Sequence, residues 1–437
     1  MAGPSAKTRV AYHTFGCKAN QYDTERMRQE VEARGGHTVE DWRDAHVCVV
    51  NSCTVTNQAD AQARRLVRRI RRENPRARVV VAGCSAALKA SDYRAMEEVA
   101  GVVEGHDPVA VSEVVLPATR LVPLRARRSL DRVDREPVGA EILLRRKGAT
   151  RGWLKIQDGC DRKCSFCATR LARGASRSRT PGEIVREARR LAAHHPELVL
   201  TGIHIGHYGR DLEPTTTLSR LLARLLEEVP DVRFRLGSVE ATEVDDLLLE
   251  LLADDGERVA PHLHMPLQSG ADPVLRRMRR WHTREMYRVR ALEIAERMPV
   301  LGLGADIITG FPGETDEDHR ATMALVEELP YTYAHVFPFS PREGTAAADL
   351  NQEMPVPQRV AGERAREIRE RVQEKGEAYR RARAGDPVLV VLEGDGGTAL
   401  TGDYLRVPVM RGRSPEEGSR LHPGRLVAVG DEVSLAL

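Results

Sequence analysis

From Trp153 onward the sequence repeats a strand–helix rhythm six times, and that repeat limits the possible folds more than any other feature. Candidate strands are Trp153–Gln157, Leu198–Thr201, Arg233–Leu236, His262–Pro266, Gly304–Thr309 and Ala334–Phe337. Between them lie helical stretches at Pro181–His194, Leu218–Glu228, Val244–Asp254, Thr283–Arg297 and Asp316–Glu328. Strict alternation implies a parallel sheet with helical crossovers. Six units in about 230 residues point to an open, partial (β/α)6 barrel rather than the eightfold closed form.

The flanking regions have their own character. The first third alternates too: strands at Arg9–Thr14, Val47–Asn51 and Arg78–Ala82, with helices from about Asp23 to Ala33 and from Ala59 to Arg72. This reads as an N-terminal parallel αβ domain over residues 7–116. A basic, irregular stretch, residues 117–148, reads as a linker. The barrel region, 149–384, ends in a long charged helix from Pro357 to Arg383. In the tail, 385–437, Val388–Leu392, Tyr404–Val409, Leu426–Val429 and Glu432–Leu437 are β-rich and separated by Gly, Pro and Asp. That pattern predicts a small β-barrel.

No apolar run reaches the roughly 18 residues a bilayer span needs. The opening residues lack the apolar core of a secretory signal, so the expected location is cytoplasmic. A net charge of +3 is uninformative, but its distribution is not. Arg64, Arg65, Arg68, Arg69, Arg71 and Arg72 crowd one helix, and Arg120, Arg125, Arg127, Arg128, Arg145, Arg146 and Lys147 mark the linker. Such clusters neutralise phosphates, or simply clothe solvated faces.

The 7 cysteines carry the chemistry. In a reducing compartment they are not a disulfide framework, which leaves metal or cluster ligation as the leading reading. Cys160, Cys164 and Cys167 share one loop directly after the first barrel strand. In βα folds ligands bind at the carboxyl ends of strands. Three thiolates in a loop can bind three irons of a cubane and leave the fourth open. A structural zinc would need a fourth ligand, and no further Cys or His lies nearby in the sequence. Phe166, between the second and third cysteines, is placed to shield such a cluster. Cys17, Cys53 and Cys84 each follow a strand of the N-terminal domain, so one parallel sheet would bring them to a shared edge. Gly16 and Gly83, just before two of them, permit close backbone approach. The competing reading is three buried small hydrophobes, which is the expectation for Cys48, inside a strand.

These motifs resemble the methylthiotransferases, a family of radical S-adenosylmethionine enzymes, over essentially the whole chain. Gly16-Cys17-Lys18-Ala19-Asn20 with Asp23 and Glu25, Asn51-Ser52-Cys53-Thr54-Val55-Thr56, and Gly83-Cys84 are similar to the family's three N-terminal ligand motifs. Gln157-Asp158-Gly159-Cys160 through Arg173-Gly174 and Arg177-Ser178-Arg179 resembles its radical motif. The tail looks like a TRAM domain, an RNA-binding barrel. Thr201-Gly202-Ile203-His204, His262 through Gly270, Gly310 through Thr315, and above all His335-Val336-Phe337-Pro338-Phe339-Ser340 with Arg342, Gly344 and Thr345 resemble one subfamily. Its members modify N6-threonylcarbamoyladenosine at position 37 of tRNA.

The resemblance implies two [4Fe-4S] clusters, one on Cys160, Cys164 and Cys167 and one on Cys17, Cys53 and Cys84. S-Adenosylmethionine is used twice, once to methylate a sulfur on the second cluster and once to yield a 5′-deoxyadenosyl radical, with an external low-potential electron donor. It places Thr201, Gly202, Glu240, Gln268 and Asp306, at strand ends, against the cofactor; Glu240 reads equally well as a helix N-terminal acid near Thr242. It places tRNA on Arg64, Arg65, Arg68, Arg69 and Arg72, with Arg406, Arg411 and Arg413 of the tail. No catalytic acid–base residue beyond the clusters is implied. His262 and His264 alternate on one strand and read equally well as core. Departures are Ala168-Thr169-Arg170-Leu171-Ala172, where the family often has proline, and an acidic tail. Two alternatives stay open: action on isopentenyladenosine or on a ribosomal-protein aspartate, and a zinc-containing RNA-binding protein.

Overall fold

The computed structural model describes residues 7–54, 57–116, 142–146, 148–394, 396–410 and 420–437. It divides into two compact units. The first gathers the described residues of Met1–Val138 with Asp158–Arg162 and Cys167–Arg177, and the second holds Gly139–Gln157, Lys163–Phe166 and Ser178–Leu437. Most of the basic linker lies outside the described residues.

The first unit is built on a parallel sheet of β1 (Arg9–Thr14), β2 (His37–Thr38), β3 (Val47–Ser52), β4 (Arg78–Gly83) and β5 (Val99–Val102), in the order β2-β1-β3-β4-β5. β3 is central and buried along its whole length, which is why Val47-Cys48-Val49-Val50 reads as a continuous apolar run. Cys48 faces one core with Ile70, Val79 and Tyr93, as expected of a strand cysteine, and burial pushes its thiol up to about 12. α1 spans Lys18–Ala33, starting five residues before the sequence pattern suggested. The reason is chemical. Its first turns bury Asn20, Asp23 and Thr24, polar residues that break the apolar periodicity on which a helix is recognised. α2, Asn57–Glu73, buries Ala63, Leu66, Val67 and Ile70 and keeps its arginines on the other side.

In the second unit six strands run in sequence order: β6 (Gly152–Lys155), β7 (Glu197–Thr201), β8 (Arg233–Leu236), β9 (His262–His264), β10 (Gly302–Thr309) and β11 (Tyr333–Pro338). They form two three-stranded parallel sheets, β6-β7-β8 and β9-β10-β11. A bridge between Ser238 and His264 joins the sheets. Among the described residues β11 does not pair with β6, so the barrel is open. The helices carry the caps their sequences advertise: Thr180 and Thr315 each close a capping box.

The long helix Gln358–Ala382 leads into a five-stranded antiparallel sheet of Pro387–Glu393, Thr398–Thr401, Arg406–Pro408, His422–Val429 and Glu432–Ala436. Thr398–Thr401 escaped the sequence reading because four residues after a Gly-Gly turn carry little periodicity. The sheet curls around Val390, Leu392, Val407, Leu426 and Leu435. Among the described residues its rim strands share only a single Val409–Leu435 bridge and no ladder, so the sheet is a curled half-barrel. Charge seats it against the barrel strands. Glu197, fully buried, binds Arg233 and Arg235 at 2.8 Å. Arg233 Nη1 donates to the Leu389 carbonyl, and Arg235 Nη1 and Nη2 to those of Gly402 and Thr401. Their positive charge holds the Glu197 carboxyl far below its usual range against the opposing effect of burial.

Candidate active site

In the first unit three thiols gather past the ends of β1, β3 and β4. Cys17 is the N-cap residue of α1 and makes no side-chain capping bond. Cys53 follows β3, and Cys84 opens the short helix Cys84–Leu88. Gly16 lies against Cys53 so tightly that a Cβ there would collide with its Sγ. Gly83 holds φ at +94°, and a side chain on it would overlap Asn51 and Ser52. Both glycines thus serve close approach, as their position beside the cysteines suggested. Burial pushes the Cys84 thiol up to about 12; Arg173 opposes this, and the neighbouring Cys17 and Cys53 add to it. Three sulfur donors gathered in this way make a set that iron would suit.

Arg173 is the residue that sequence reasoning left without a role. It is fully buried and uses its whole guanidinium fork. Nε donates to Cys84 Sγ (3.1 Å), Nη1 to both carboxylate oxygens of Asp158 (3.0 and 3.1 Å), and Nη2 to Asn20 Oδ1 (2.7 Å) and Asp23 Oδ2 (2.8 Å). His106 Nε2 adds a contact to Asp158 at 3.0 Å. Asp158 precedes Gly159-Cys160, whose amide donates to Gly174 O. One side chain therefore connects the first ligand helix, the third ligand and the start of the Cys160 loop. The signal was present as polar residues inside two cysteine motifs, Asn20 and Asp23 in one and Asp158 and Arg173 in the other. Nothing in the sequence pairs them.

Of the loop cysteines, Cys160 and Cys167 belong to the first unit and Cys164 to the second. The Thr169 amide donates to Cys167 Sγ at 3.4 Å. Phe166 packs on Val274, Met278, Phe311 and Phe339, so it anchors the loop in an apolar core. Ser165 fixes the same turn through Met278 and Arg277 carbonyls. Arg280, missed in the sequence because it sits in an arginine-rich run, donates to Cys164 Sγ at 3.6 Å and to Glu240 at 2.5 Å.

Glu240 is buried, and desolvation raises its carboxyl against the pull of Arg280. Thr201 ends β7 and Gly202 follows it beside Gln157, whose Oε1 accepts from the amides of Ile203 and His204. Gln268 takes φ +67° and its amide donates to Asp306 O. The Asp306 side chain instead meets His264 at 3.2 Å. A second imidazole group, His204 and His207 on Glu243, is buried nearby in sequence. His262 and His264 are both buried, and both reach the Tyr333 hydroxyl.

Arg65, Arg68 and Arg72 are exposed on α2. Arg64 and Arg69 are engaged with acids, Asp60 and Asp92 for one and Glu73 for the other. Arg406 is exposed and paired with Glu393. Arg411 and Arg413 lie outside the described residues.

No described helix is long and apolar enough to cross a membrane. Residues 9–105 match the uncharacterized protein family UPF0004, and residues 154–326 match the radical SAM superfamily. The threonylcarbamoyladenosine tRNA methylthiotransferase MtaB of Bacillus subtilis is 35% identical over 82% of this chain and 79% of its own length. The Aquifex aeolicus protein of that name is 32% identical over 91% and 96%. The tRNA-2-methylthio-N(6)-dimethylallyladenosine synthase of Bacillus licheniformis is 32% identical over 87% and 75%. Among solved structures, the radical S-adenosylmethionine methyltransferase TsrM of Kitasatospora setae shares the fold, with a TM-score of 0.57 at 17% identity over 78% and 77%.

Proposed function

The chain belongs to the radical S-adenosylmethionine methylthiotransferases, and from that premise we propose that it installs a methylthio group on N6-threonylcarbamoyladenosine 37 of tRNA. The observation that carries the substrate is its similarity to proteins of that specificity across as much as 96% of their length. Membership in the superfamily brings a [4Fe-4S] cluster and S-adenosylmethionine. We assign that cluster to Cys160, Cys164 and Cys167, and a second to Cys17, Cys53 and Cys84. When bound, they supply reductive cleavage of the cofactor and a carrier for the sulfur.

The protein's own residues do the rest. Arg173 fixes Cys84 and neutralises Asp23 and Asp158. Arg280 holds Glu240 beside Cys164. Thr201, Gly202, Glu240 and Gln268, at the carboxyl ends of strands or just past them, are proposed to receive S-adenosylmethionine. An external low-potential donor supplies the electron.

Nucleoside mass spectrometry of tRNA from a deletion strain tests the reading. The 2-methylthio derivative of threonylcarbamoyladenosine should vanish while that of isopentenyladenosine persists; the reverse would transfer the function to the dimethylallyl relatives. For tRNA itself, Arg65, Arg68 and Arg72 are the proposed phosphate contacts, with Arg406, Arg411 and Arg413 of the tail as a further face. The triple change R65E/R68E/R72E should weaken binding of any tRNA alike and lower the slope of log K against log salt by up to about 0.9 per lost contact. An unchanged salt slope would remove α2 from the interface.

A further inference from the structure

We infer that His264, Asp306, Tyr333 and His335 form the receptor for the polar amino-acid appendage of the substrate nucleoside, with Phe337 stacking on its base. The inference rests on the threonylcarbamoyl reading above and says which wall of the barrel reads that group.

The argument begins with strand register. β9, β10 and β11 pair in parallel, with His264 opposite Gly304, Gly304 opposite Tyr333, Asp306 opposite His335 and Ile308 opposite Phe337. Side chains alternate along a strand, so His262, His264, Gly304, Asp306, Tyr333, His335 and Phe337 share one face. Leu263, Leu303, Ala305, Ile307 and Val336 take the other and are buried. Gly304 has a steric function here, since a Cβ on it would overlap the Tyr333 ring. The bare backbone lets that ring lie across β10 and reach His262 Nε2 at 2.7 Å and His264 Nδ1 at 3.1 Å.

The wall is graded along its length. At the start of the strands Tyr404 stacks on His262, with ring centroids 4.4 Å apart, and closes that end. At the finish it opens: His335 is exposed, and Phe337 is 38% exposed, an unusual place for a large apolar ring. The two rings are 6.4 Å apart. Between these ends, ring nitrogens of His264 and His335 and a carboxylate oxygen of Asp306 lie within 4.8 Å of one another. His264 is held on both sides, by Tyr333 and by Asp306.

Such a group matches an amino-acid appendage joined through a carbamoyl link. The His335 imidazole N–H donates to its carboxylate, while Asp306, oriented by His264, accepts from its hydroxyl or amide N–H. Phe337 offers a flat face for the purine, which every base can use. A dimethylallyl group placed here would desolvate imidazoles and a carboxylate without pairing them, and that is the kind of mismatch a polar site rejects most strongly.

The test uses holoprotein handled anaerobically and anticodon stem-loops carrying threonylcarbamoyladenosine, isopentenyladenosine or plain adenosine at position 37. Wild-type protein should bind the threonylcarbamoyl loop at least about tenfold tighter than the plain one. H335F should bring that ratio close to one, and H335Q, which keeps an N–H donor, should restore part of it. F337A should weaken all three loops together. A wild-type preference for threonylcarbamoyl that survives in H335F overturns this inference alone. A wild-type preference for the isopentenyl loop overturns the substrate reading as well.

Discussion

Replacing Cys84 by alanine is expected to halve the iron content and abolish methylthiolation while leaving cleavage of S-adenosylmethionine intact. Two four-iron clusters give about eight irons per chain after anaerobic reconstitution, and loss of one ligand from a site with three should leave about four. Cys84 is buried beside Arg173. C17A and C53A should behave alike. The control is C160A, which should also lose about four irons but stop cofactor cleavage. If C84A retained about eight irons, or if reconstituted wild-type protein held tight zinc and no iron, the assignment of the second cluster would be wrong.

The next largest effect is expected at Arg173. Its charge is the buried counter-ion of Asp23 and Asp158, and removing one member of such a group strands the others. Breaking a buried pair this way costs about 3–5 kcal/mol, a large share of the roughly 5–15 kcal/mol that holds a typical domain folded. R173M should therefore lower the denaturant midpoint sharply and impair iron loading at Cys84. R173K keeps the charge but loses the fork, so it should recover stability only in part. The cycle of R173M, D158N and the double variant decides between this account and a simple packing defect. A coupling energy above about 1 kcal/mol is expected for groups in one network; additivity would mean that Arg173 acts as filler.

What could be read in advance divides along a physical line. The six barrel strands and their capped helices were legible because period-2 and period-3.6 patterns and the Thr180 and Thr315 caps are local properties. The start of α1 was not. Asn20 and Asp23 face inward for the sake of Arg173, and a buried polar face erases the amphipathic signal. Phe166 illustrates the same limit. Its place between two ligands suggested a shield; its packing against the core of Val274 and Phe311, as a half-buried ring, was not legible there. The arginines of α2 looked equivalent in sequence, yet Arg64 and Arg69 are engaged with acids while Arg65, Arg68 and Arg72 are exposed.

By itself, then, the sequence determined the family and the succession of the six barrel strands, and it singled out the cysteines, since each depends on residue type and spacing along the chain. Only the tertiary structure decided which partners those residues meet. Arg173 lies 153 positions from Asn20 and 89 from Cys84, and Tyr333 lies 69 from His264. No local pattern encodes such pairings; they exist because parallel strands in register bring distant segments to one edge, where a buried charge must find its counter-ion.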